Sequence, residues 1–214
     1  MNKRQKRKHL RSPTTAKVRR RNKALCERYP FLTPRSVWTD KITWDMKPKD
    51  KKYSYTLLEE LPNGWRKAFG LQMCEEIRAA LLRSGGKHKL QAYRVTQIKE
   101  KYGGLRWYDY NGSKEVDRII DDYEVISQNI CIKCGKPDIP MVNESWISPW
   151  CEECWLHQRR NRKATHEDYV NLCDEDDGIL RDNYKIRVYS NGDVTEVTRD
   201  IADKVAKIRA RYRA

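Results

Sequence analysis

Cys131-Ile-Lys-Cys134 and, after sixteen intervening residues, Cys151-Glu-Glu-Cys154 form the stretch on which the fold of this chain turns. Each Cys-x-x-Cys turn offers two sulfurs on one side, and two such turns folded together complete a tetrahedron. Cys131, Cys134, Cys151 and Cys154 are therefore expected to hold Zn2+ in a closed structural site, because a catalytic zinc would keep one position open for water. Gly135 suits the knuckle after the second sulfur, where unusual backbone angles let amides point at thiolates. Lys133 and Lys136 offset part of the negative charge that four thiolates leave on the ion. Pro137, Pro140 and Pro149, with Trp146 and Trp150, predict a stiff hairpin packed by aromatics, so residues 129–165 read as a zinc ribbon with a basic helix.

That helix begins after Cys154, where Arg159, Arg160, Arg162 and Lys163 crowd positive charge into five residues and suit a phosphate backbone. His157 and His166 are spare ligands that four cysteines make unnecessary. They also raise a nuclease of the His-Asn-His kind, but residues 135–150 contain no histidine to activate water inside the hairpin.

Upstream, residues 64–128 read as a helix, hairpin, helix module. Leu71, Cys74, Ile77, Leu81 and Leu82 recur at helical spacing from Trp65 to about Arg83, Asn63 is the expected cap, and Gly85-Gly86 ends the run. Cys74 falls on the apolar face and reads as a small buried hydrophobe. Residues 91–98 and 105–110 alternate as strands joined through Gly103-Gly104. Asn111-Gly112 closes the second strand, and Ser113 caps a helix to about Ser127 with Val116, Ile119, Ile120, Tyr123 and Ile126 on one side.

Gly64-Trp65, the run from Val95 to Tyr108 with its QIKEKYGGLR core, and the trailing double Cys-x-x-Cys resemble a group of uncharacterised phage- and prophage-encoded proteins. The resemblance spans roughly residues 60–156 and implies kinship without an activity.

The ends differ in character. Residues 1–28 carry twelve Lys or Arg against Glu27 alone, a net of +11 out of +15 for the 214-residue chain. Lys3, Arg4, Lys6, Arg7, Lys8, Arg11, Lys17, Arg19, Arg20, Arg21 and Lys23 predict a disordered arm that nucleic-acid phosphates neutralise. Residues 29–63, rich in Pro and aromatics, read as irregular structure with the aromatics as core anchors. Residues 166–183 read as an acidic linker; Asp174 to Gly178 lack the spacing of a calcium loop. Residues 184–214 read as an Asn-Gly hairpin and a basic C-terminal helix.

Scattered Cys26, Cys74 and Cys173 point to reduced thiols, and no signal core or membrane-spanning run is present, so cytoplasm, here of an infected host, is expected. The fold class expected is α+β. The function expected is a non-enzymatic, zinc-stapled nucleic-acid-binding protein, RNA being preferred over DNA and the ribosome a candidate partner. The rival classes are a module binding a host protein and, third, the nuclease.

Overall fold

The Thr15 hydroxyl accepts a hydrogen bond from the Val18 amide and caps helix α1 (Ala16–Arg28). The computed structural model describes residues 15–44, 52–173 and 199–213. The chain divides between Leu57 and Leu58 into two compact units. In the first, Asn22 and Cys26 lie buried on the inner side of α1, and the Asn22 amide donates to the Tyr53 carbonyl at 3.0 Å. Residues 15–28 are thus largely helical, which corrects the expectation of a disordered arm reaching residue 28. The cause is local: Val18, Leu25 and Cys26 share a face hidden in a charge count, and in the same unit Phe31, Leu32 and Trp44 are buried. Trp44 packs on Tyr53 with ring centroids 4.7 Å apart, so these aromatics are core. Lys3, Arg4, Lys6, Arg7, Lys8 and Arg11 lie outside the described residues.

The second unit is built on a helical stretch that begins as an α-turn (Asn63–Trp65), widens into a π-turn (Arg66–Gly70) and continues as α2 (Leu71–Ala92). Met73, Cys74, Ile77, Ala80 and Leu81 face inward and are fully buried. Each large apolar side chain there contributes about 2 kcal/mol. Burial raises the Cys74 thiol far above its ordinary range, so it behaves as a hydrophobe. The expected stop at Gly85-Gly86 is a break: Gly86 sits at φ +63°, and helix resumes over residues 87–92.

Strands β1 (Arg94–Lys101) and β2 (Gly104–Tyr110) pair antiparallel, with Ile98 opposite Trp107 and Lys101 opposite Gly104. Both strands run closer to the turn than expected, because the loop is only Tyr102-Gly103, at φ +52° and +75°. Positive φ at both central residues is what a two-residue hairpin turn demands, so Gly103 is central to it and Gly104 begins the strand. The Ser113 hydroxyl caps α3 (Lys114–Ser127), whose Val116, Ile120, Tyr123 and Ile126 bury against α2 and β2. Strands β3 (Met141–Asn143) and β4 (Ile147–Pro149) form the second small sheet; α4 (Glu152–Arg159) and α5 (His166–Val170) follow. The expected acidic linker over 166–183 is corrected at its start, where residues 166–170 form α5 with Tyr169 buried; its residues from Asp174 and the expected hairpin over 184–198 lie outside the described residues.

The last helix, α6 (Arg199–Arg213), buries Ile201, Val205 and Ile208 and packs on the π-turn and α3. Lys204 on the same face is buried between Asp122, which accepts its hydrogen bond, and Glu76 at 3.6 Å. Its charge is paired, as burial requires. The described residues form a mixed helix and strand fold with two small antiparallel sheets. Among them, no helix is long and apolar enough to cross a membrane.

Burial raises the Asp109 carboxyl to about 6, with the Tyr93 hydrogen bond opposing and Asp117 adding to the rise. A carboxyl whose folded value exceeds its unfolded one, about 3.9, favours folding below that value and loses the contribution as pH rises through 6. Denaturant titrations of Asp109→Asn should therefore show less stability lost between pH 4 and 6 than in the parent. Parallel pH profiles for the two proteins would refute this.

Candidate metal centre

The first Cys-x-x-Cys is a tight turn held by its own backbone. The Gly135 amide donates to the Cys131 carbonyl at 2.9 Å, the Cys131 amide donates to the Lys136 carbonyl at 2.8 Å, and Gly135 sits at φ +88°. This geometry aims the Lys136 amide at the Cys134 sulfur, 3.4 Å away. The second pair is held differently. Cys151 occupies the N-cap of α4 and Cys154 its first turn, while the Ile132 amide donates to the Pro149 carbonyl at 2.9 Å and draws the two pairs together.

The four sulfurs lie within 4.8 Å of one another, and Cys134 and Cys151 Sγ are 3.6 Å apart. Tetrahedral Zn–S bonds of about 2.3 Å require sulfurs about 3.8 Å apart, so the set fits one ion. Cys131 and Cys151 are buried, Cys134 and Cys154 partly so, and Ile139 packs against them. The hydrogen bond from Cys151 lowers the Cys131 thiol to about 4, and nearby amides help; the same bond and burial push Cys151 up. Burial also raises Cys154, to about 12. Four thiols this close cannot all ionise without a cation among them. The described residues therefore contain a four-cysteine site able to hold a metal ion, and no other group of three or more His, Cys, Asp or Glu meets that condition among them.

The centre is locked to the helical stretch upstream. A Cβ added to Gly64 would stand 1.9 Å from the Cys131 carbonyl oxygen and 2.8 Å from the Gly135 nitrogen. The Gly64 amide donates to the Ile132 carbonyl at 2.9 Å, and the Trp65 indole to the Ile130 carbonyl at 2.8 Å. Segments 64–128 and 129–165, read as separate modules, thus meet backbone to backbone within one unit. From α6, Arg209 binds Asp138 through two hydrogen bonds of 2.7 and 2.8 Å, and Tyr212 lies close enough to the Cys134 sulfur for the two to interact. No local pattern marks Gly64 or Tyr212 as neighbours of the cysteines, because both come from distant segments.

The cationic candidates separate into two groups. On α1, Lys17, Arg20, Arg21 and Lys23 are exposed and Arg19 partly so, while Glu27 pairs with Lys23 at 3.6 Å. Beyond α4, Arg160, Arg162 and Lys163 are exposed. Arg159 is not: its guanidinium forms a double hydrogen bond to Glu144 and lies 4.5 Å from the Trp155 ring centroid. It therefore braces α4 against the ribbon loop, a correction to its expected phosphate role. His157 is exposed, and His166 Nδ1 lies 2.7 Å from Glu152. Neither belongs to the four-sulfur cluster.

No family model, curated protein or solved structure matches this chain.

Gly64→Ala should cost at least about 2 kcal/mol in denaturant unfolding, since backbone on both sides blocks relaxation; a loss below about 0.5 kcal/mol would contradict the interlock. Titration with Co2+ should develop intense thiolate-to-cobalt absorption that Cys134→Ser or Cys151→Ser diminishes. Unchanged absorption in both variants would exclude a four-thiolate site.

Proposed function

We propose that this is a zinc-stapled, non-enzymatic nucleic-acid-binding protein of phage type, acting in the cytoplasm of the infected host, with RNA preferred over DNA and ribosomal RNA among its candidate targets. The observation that carries the proposal is the outer face of α1. Lys17, Arg20, Arg21, Lys23 and Arg28 are exposed along one helix whose opposite side is anchored by buried Asn22 and Cys26. Cations presented on a folded helix lose less freedom on meeting phosphates than the same charges on a free tail. Arg160, Arg162 and Lys163 add a second positive surface beside the ribbon.

Zinc is the ion proposed for the cysteine cluster. Four thiolates in a compact tetrahedral set suit Zn2+, which needs no redox partner and leaves no open position when so bound. The metal's role is then to hold the ribbon and the Gly64 junction in shape. The preference for RNA rests on pairing a cation-rich N-terminal segment with a small rigid ribbon, which suits irregular RNA surfaces.

A second reading is favoured by a specific observation in the first unit. Trp38 is 92% exposed and adjacent Val37 66%, a combination that would suit an anchor for a host protein.

Binding of the intact chain to RNA and to duplex DNA should weaken steeply with salt. Deleting residues 1–28 should flatten the slope of log K against log salt by roughly 0.7 to 0.9 for each phosphate that the removed cations had neutralised. Affinity independent of both salt and the deletion would sink the proposal. A host protein retained after nuclease treatment, with no bound nucleic acid, would favour the second reading.

A further inference from the structure

Directly opposed residues of a β-ladder point to the same side, so the β1–β2 register sorts the hairpin into two faces. One carries Val95, Ile98, Leu105 and Trp107, buried beneath α3, together with Asp109 and Glu100. The other carries Arg94 opposite Tyr110, Gln97 opposite Tyr108, Lys99 opposite Arg106 and Lys101 opposite Gly104. Four of these eight are cations, two are tyrosines and none is acidic. Tyr108 and Tyr110 are 43% and 47% exposed. For a two-stranded sheet with one face on the core, open tyrosines among cations are not demanded by folding.

The aromatic character continues at the turn. Tyr102, 63% exposed, stacks on Trp146 from the loop between β3 and β4, with centroids 5.6 Å apart and rings inclined by 21°. Glu100 accepts from the Trp146 indole at 3.1 Å and from the Gly103 amide at 2.6 Å, which fixes the indole and occupies that carboxylate. Lys99 stands 5.0 Å from the Tyr108 ring centroid and Lys101 5.2 Å from that of Tyr102. Arg106 is tied to Glu124 at 3.1 Å, at the edge of the face, so Lys99 and Lys101 are its working cations.

We propose that this face binds single-stranded nucleic acid, stacking successive bases on Tyr110 and Tyr108 while Lys99 and Lys101 meet the phosphates. Tyr108 and Tyr110, two residues apart, stand about 7 Å from each other along the strand, roughly twice the rise of stacked bases. Each tyrosine therefore takes one base of an extended strand, a spacing that the stacked bases of an undistorted duplex do not offer. Aromatic stacking tolerates any base, and lysines beside the rings keep the site cationic without reading sequence. The proposal rests on the nucleic-acid reading above and assigns it a substrate class and a surface different from α1.

The test uses the intact chain with a twelve-nucleotide oligouridylate, the matching oligothymidylate and a blunt duplex of equal length, measured by fluorescence anisotropy at fixed salt. Tyr108→Ala with Tyr110→Ala should weaken single-strand binding by about tenfold or more, whereas Tyr108→Phe with Tyr110→Phe should stay within about twofold, because stacking survives loss of the hydroxyls. Duplex binding should be unchanged in both. Loss in the RNA arm alone assigns the face to RNA; equal loss in both single-strand arms assigns it to single strands of either sugar. Should the alanine variant, with an unaltered circular-dichroism spectrum, bind both single strands within twofold of the parent, the hairpin proposal falls while salt-dependent binding through α1 stands. Absence of binding to all three probes by the parent itself would remove both.

Discussion

The approach of Gly64 to the Cys131 turn is the junction on which the second unit depends. Backbone meets backbone there with no room for a side chain, and hydrogen bonds from Gly64 and Trp65 close the junction from both sides. A cysteine knuckle thereby becomes a support for the start of the main helical stretch. The π-turn at Arg66–Gly70 follows directly, and α6 packs on it. Widening a helix by one residue per turn is costly in isolation and is found where tertiary packing or function imposes it. Here it lies between the junction with the cysteines and the core of α2.

This arrangement changes what the metal centre is for. A ribbon standing alone would stabilise only its own hairpin, since so small a unit has little apolar surface to bury. In this chain the same cysteines are approached from upstream by Gly64, across the ribbon by the Pro149 carbonyl, and from the C-terminal helix by Tyr212. The free energy of an ion held by these cysteines would accordingly be shared with α2 and α6 through those neighbours. Arg159, drawn onto Glu144 and Trp155, belongs to the same bracing and is unavailable to phosphate.

The nucleic-acid binding proposed above draws on two cationic surfaces of different construction. On α1 the charges ride a helix and would act chiefly through phosphate, giving affinity without discrimination. On the β1–β2 hairpin fewer charges lie among aromatic rings, an arrangement that would favour unpaired bases over a duplex. The Tyr102–Trp146 stack joins the β1–β2 turn to the loop between β3 and β4.

Local chemistry was enough to identify the four cysteines, the Ser113 cap and the apolar stripes of α2 and α3, because each depends on residues within a few positions of one another. α1 was read as part of a disordered arm: Lys and Arg set the composition of residues 15–28, while its burial depends on Asn22 meeting Tyr53, thirty-one residues away. The burial of Arg159 against Glu144, the Gly64 junction and the stacking of Tyr102 on Trp146 are likewise products of packing. Each pairs residues that the chain separates by a loop or an entire helix, and spacing carries no record of which distant backbone will arrive. Which residues could bind metal, and that α2, the β1–β2 hairpin and α3 would form, followed from the order of residues along the chain. Which charges and rings remain at the surface followed from how those segments pack, because exposure belongs to the assembled core and not to any single segment.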